Sequence, residues 1–119
     1  MPTKLLTNQY HRDIYVSDEK NSGLLKDLKK AGVLHSSLKH LPKRLSLRGR
    51  SGITIFSENP IIVVRILTSY MNYPVIVHEL FHCVVNILEQ AGFGPLNDHT
   101  EEGYAYLMEH LVSQCDGLC

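Results

Sequence analysis

His78, Glu79 and His82 stand inside the run YPVIVHELFHCVVNIL, which is otherwise mostly apolar. Residues four apart share a helical face, so the two imidazoles can grip one ion. Glu79 lies about 100° around the helix from His78. That places its carboxylate beside the ion's open position and out of competition with the ligands. A water held there is acidified by the metal, and the carboxylate can take its proton. The HExxH pattern thus predicts Zn2+ as cofactor, His78 and His82 as ligands and Glu79 as catalytic base. All three groups are expected in a buried pocket, where a carboxylate needs an ion or partners.

A catalytic zinc wants a third protein ligand. The HExxHxxGxxH extension would need glycine at position 85 and histidine at position 88. The chain has Val85 and Leu88, which excludes it. The remaining candidates are Asp98, His99, Glu101, Glu102, Glu109 and His110. Cys83 follows His82 directly but points about 100° away on a helix, so it is expected in the core.

The stretch TEEGYAYLMEHL (100–111) resembles the glutamate helix of gluzincin metallopeptidases, best known as the NEGFA stretch of zinc aminopeptidases. The match implies that Glu102, which precedes Gly103-Tyr104-Ala105, is the third metal ligand. The gap between His82 and Glu102 holds 19 residues, one more than in that pattern. Residues 74 to about 112 carry the resemblance, and they also look like small metallopeptidase-like proteins of tailed phages. The implied fold is a single zincin-like domain over residues 1–119, with about three strands packed on the HExxH helix and the glutamate helix. The implied activity is zinc-dependent hydrolysis of a peptide or protein substrate. The chain departs from the pattern at Tyr106, where thermolysin-type members carry an acid that orients the first histidine. An oxyanion donor would have to come from Tyr70, Tyr73, His99, Tyr104 or another chain. Gly103, lacking a side chain, is expected to let the two helices approach closely.

The elements that must position these residues are legible in outline. RDIYVS (12–17) reads as a strand with Ile14 and Val16 on one face and Tyr15 on the other. Leu24, Leu25 and Leu28 make a helical stripe that ends near Gly32. GITIFS (52–57) and IIVVRIL (61–67) are β-branched strands joined by a short turn with Pro60, an expected hairpin. IIVVRIL is expected to be the sheet edge on which an extended peptide pairs. The HExxH helix should begin with Pro74 at its first position and stop before Gly92. A last helix is expected from a cap at Asp98 through to Gly117. The order β-α-β-β-α-α favours α+β over a doubly wound sheet.

Composition bounds the rest. The 119 residues suit one domain, with 44% hydrophobic and 20% charged residues. No run is long enough to span a bilayer, and the start lacks a secretory signal, so a cytoplasmic protein and no membrane partner are expected. Three cysteines give no disulfide framework. The 12 Lys and Arg all lie at or before Arg65, and no Lys or Arg follows. The later half is purely acidic and is expected to favour a positively charged substrate. The basic stretch at 39–50 has no aromatic interleaving, so no nucleic-acid partner is expected. The alternative to an enzyme is an inactive zinc-containing protein whose 39–50 loop contacts a partner.

Overall fold

The computed structural model describes residues 3–21, 23–30, 47, 49–56 and 61–118. Its centre is a sheet whose inner strands have no polar face. Strand β2 (Asp13–Asp18) and strand β4 (Ile61–Ile66) read IYV and IIVV at their middles and are buried on both sides. Near-continuous β-branched runs of this kind need cover on both faces. The two strands lie parallel, with Ile14 opposite Ile62 and Val16 opposite Val64. Strand β3 (Gly52–Phe56) pairs antiparallel with β4, Thr54 opposite Val64, which is the expected hairpin. Its turn, with Pro60, lies outside the described residues. Strand β1 (Lys4–Leu6) pairs antiparallel with β2. The order is β1-β2-β4-β3.

Two expectations are corrected here. The described sheet has four strands, not about three; β1 has only three residues, too few to show alternation. IIVVRIL is not an edge: β4 lies between β2 and β3, and β3 is the edge beside it.

Period 2 sorts the side chains between two layers. Ile14, Val16, Ile62, Val64 and Ile66 face a core shared with helices α2 (Tyr73–Gln90) and α3 (Glu101–Ser113). Tyr15, Ile55, Ile61 and Val63 face the other way, onto Leu24 and Leu28 of helix α1 (Leu24–Lys30). The chain is α+β, with a mixed sheet covered on both faces. No helix among the described residues is long and apolar enough to cross a membrane.

Helix α2 is fixed at both ends by local chemistry. Asn72 is the N-cap, its side chain accepting from Val75 N at 3.2 Å. Pro74 therefore falls second, not first, in the helix. Gly92 just past the end has φ 85°, the left-handed conformation that a glycine tolerates. Helix α3 starts two residues later than expected, with Thr100 in the cap position instead of Asp98. Asn97 Oδ1 accepts from His99 N at 2.8 Å and Thr100 N at 3.2 Å, which spends Asp98 in a turn. The helix stops at Ser113, well before Gly117.

Helix α3 runs back along α2. Tyr104 Oη, near its start, donates to Gly94 O at 2.9 Å, just past the end of α2. Tyr73 Oη, at the start of α2, lies 3.5 Å from Asp116 Oδ1 beyond the end of α3. Gly103 serves a different contact from the one expected, because the Phe93 ring fills the space its Cβ would need.

Leu80 is fully buried between α2 and the sheet. Leu80→Ala should lower unfolding stability by about 2–5 kcal/mol, and Asn72→Ala by about 1 kcal/mol. Urea denaturation followed by circular dichroism checks both; equal effects would misplace the core face of α2.

Candidate metal centre at the edge strand

The buried face of α2 is set by Ile76, Leu80, Cys83, Val84 and Ile87. Adding about 100° per residue puts His78 and His82 nearly opposite that face, with Glu79 between them and the core. The structure agrees: both histidines are exposed, and Glu79 is 6% exposed. The expectation that all three groups are buried holds for the carboxylate alone. The apolar run had suggested otherwise, but Phe81 and Val77 are exposed as well.

Glu79 meets β3. Thr54 Oγ1 donates to Glu79 Oε2 at 2.8 Å. A Cβ on Gly52 would stand 3.2 Å from Glu79 Cγ and 3.4 Å from its Oε1, so glycine provides the room in which the carboxylate lies. Glu79 Oε1 receives no hydrogen bond from the described residues. Cys83, one turn on, is fully buried and its Sγ donates to Glu79 O at 3.4 Å. Burial, and then the nearby Glu79 charge, push the Cys83 thiol far up, and the side chain does not line the groove that holds the histidines.

These groups line an open groove of about 310 Å³, with Glu79 and the histidines on the helix side and Arg50, Gly52, Thr54 and Phe56 on the strand side. Leu67 N donates to Ser51 O at 2.9 Å. With the β3–β4 register, this makes Ile53·Arg65 and Ile55·Val63 the hydrogen-bonded pairs. The main-chain groups of Gly52 and Thr54 therefore point away from β4, along an edge to which no other strand pairs among the described residues.

The residues fit two-thirds of a zinc ligand set. The His78 and His82 ring centroids are 5.0 Å apart at an interplanar angle of 78°. Two imidazoles on one tetrahedral ion have centroids about 5 Å apart, given Zn–N near 2 Å. No hydrogen bond to either ring comes from the described residues. Among those residues, no set of three His, Cys, Asp or Glu side chains converges.

Glu102 is not brought to the histidines. It lies two residues from buried Tyr104, about 200° around α3, and is exposed. It also stands level with the far end of α2, while His82 precedes that end by eight residues, about 12 Å along the axis. Glu101 is exposed too, about 60° from the Tyr104 face. His99 and His110 are exposed, and neither lines the groove. Tyr106, in the place of the orienting acid, is 67% exposed and does not line the groove either. Tyr104 spends its hydroxyl on Gly94 O, and Tyr70 and Tyr73 are outside the groove.

Thr54, Gly52 and Arg50 are the site residues that sequence reasoning passed over. A glycine inside a strand pattern signals a close approach, and period 2 puts Thr54 on the same face, so two of the three were findable. No protein-family model, no curated protein and no solved structure matches the chain.

Gly52→Val should leave the protein folded, since β-branched residues suit strands, while pushing the Glu79 carboxylate off Thr54. A crystal structure of the variant reads the Thr54 Oγ1–Glu79 Oε2 distance directly. A bond kept at its present length would show that Gly52 does not shape the site.

Proposed function

We propose that the chain is a zinc-dependent metallopeptidase of gluzincin type on a zincin-like domain, with His78 and His82 as metal ligands and Glu79 as general base. The observation that supports this best is the state of Glu79. It is buried, yet only one of its oxygens has a partner among the described residues, and it borders two exposed imidazoles whose spacing suits one ion. A purely structural carboxylate at such a place would be expected to satisfy both oxygens.

Bound zinc would polarise the scissile carbonyl and acidify a water. The protein's own groups do the rest. Thr54 holds Oε2, which turns Oε1 toward the groove as the proton acceptor. Glu79 takes the proton from the water and later delivers it to the leaving amine. The outward main-chain groups of Gly52 and Thr54 can pair with an extended peptide and lay its backbone across Glu79. That role moves from IIVVRIL to β3, the strand with the open edge. Glu102 is the third ligand by the family pattern, and this is the part of the proposal that the geometry of α3 does not support.

Elemental analysis for zinc, then hydrolysis of a mixed peptide library with and without chelator, tests the reading. Glu79→Gln should keep zinc and lose about 10²–10⁴-fold in rate. Zinc binding without hydrolysis in the parent protein would favour the inactive binding protein instead. Titration against a competing chelator tests the third ligand that the family pattern implies: a sharp loss of zinc affinity in Glu102→Ala, with only a slight one in Glu101→Ala, would keep Glu102 in the set. No effect from Glu102→Ala would remove Glu102 from the ligand set.

A further inference from the structure

We propose that Arg50 makes the groove selective for peptides that carry a carboxylate on the carboxyl-terminal side of the bond to be cleaved. This rests on the reading of the groove as a peptide cleft.

Arg50 is held by its main chain, not by its side chain. Arg50 N donates to Leu47 O at 2.9 Å, closing a turn through Gly49 with φ 83°. Leu47 is 9% exposed and anchors the turn. The side chain beyond this fixed point is exposed and has no hydrogen-bond or ion-pair partner among the described residues, yet it lines the groove. It is the one Lys or Arg among the described residues that do so. A guanidinium that is positioned, exposed and without a partner among the described residues suits a carboxylate, which it can bind in a bidentate fork.

Spacing along β3 places the charge. Glu79 meets the strand between Gly52 and Thr54, so the bond under attack lies level with them. Arg50 precedes those residues by two and four positions, about 7 to 13 Å at the rise of a strand. The guanidinium thus reaches a group two to four residues from the scissile bond. Antiparallel pairing is slightly more stable per residue than parallel. A peptide antiparallel to β3 has its carboxyl-terminal side toward Arg50. The acidic later half of the chain had suggested a cationic substrate. Its exposed charges on α3 lie beyond α2 and are screened over about 8 Å at physiological ionic strength; the acid that lines the groove, Glu79, is buried and held by Thr54, so Arg50 is the exposed charge that a peptide meets there.

The carboxylate can be an Asp or Glu side chain or the free end of the peptide, and the test separates the two. Fluorescent peptides with one apolar body are titrated by anisotropy against the full chain carrying Glu79→Gln. One has Glu two residues past the central bond and an amidated end. The second has Gln there and an amidated end. The third has Gln there and ends in a free carboxylate. A fourth carries its Glu on the amino side. The first, the third or both should bind about three- to tenfold tighter than the second, and whichever does names the source. Adding Arg50→Ala should abolish the difference, and Arg50→Glu should reverse it. Circular dichroism confirms folding of each variant.

No preference, a preference that survives Arg50→Ala, tighter binding of the fourth peptide than the first, or no binding at all would each overturn the proposal. Hydrolysis by the parent protein that ignores charge would overturn it and leave the peptidase reading standing. Charge-selective binding with no hydrolysis would do the reverse.

Discussion

A carboxylate placed where a helix crosses an edge strand is the constraint around which this molecule is arranged. Glu79 is removed from water, and a buried charge is costly unless it is hydrogen-bonded. The Thr54 hydroxyl supplies that bond at 2.8 Å, and Gly52 supplies the space. Together they fix the rotation of α2 over β3. Once Glu79 points at the strand, the 100° step of the helix leaves His78 and His82 no choice but the outer face. The site's geometry is therefore a consequence of one helix–strand contact. The cap at Asn72 and the stop at Gly92 set how much helix is available to make it.

The second helix tells a different story. Helix α3 is registered on α2 by aromatic contacts at its start and by polar contacts at its end, none of which involve the metal-ligand candidates. Tyr104 reaches Gly94, and Phe93 lies over Gly103. These contacts place the first turn of α3 beyond the end of α2. The acids of the EEGYA stretch are carried there with it, outward and away from the histidines.

Much of the fold was legible because its signals are local. The hairpin, the alternation in RDIYVS and the extent of α2 follow from residues within one element. What could not be read depends on contacts between elements. Strand β1 has three residues and is recognised only by its pairing with β2. The start of α3 turned on whether Asn97 or Asp98 used its side chain, two residues with similar capping chemistry. The identity of the edge strand is a fact of sheet order, on which β-branched content is silent. That His78, Glu79 and His82 come to one groove was legible from spacing alone, and Cys83 was rightly placed in the core. The burial of the histidines was misread because an apolar run was taken as buried all round, whereas Val77 and Phe81 share their exposure. The position of Glu102 could not follow from its spacing, since 19 intervening residues leave the packing of two helices undetermined.

The open side of β3 carries a liability. Unpaired strand edges are templates on which copies of a protein can stack into aggregates, and folded proteins commonly guard them with charges and irregularities. Here Arg50 stands at the mouth of the strand, and an inward-facing glutamate lies against its middle. When two copies meet edge to edge with these strands side by side, like charges come close. The groups that line this groove thus also make its edge a poor surface for the protein's own neighbours.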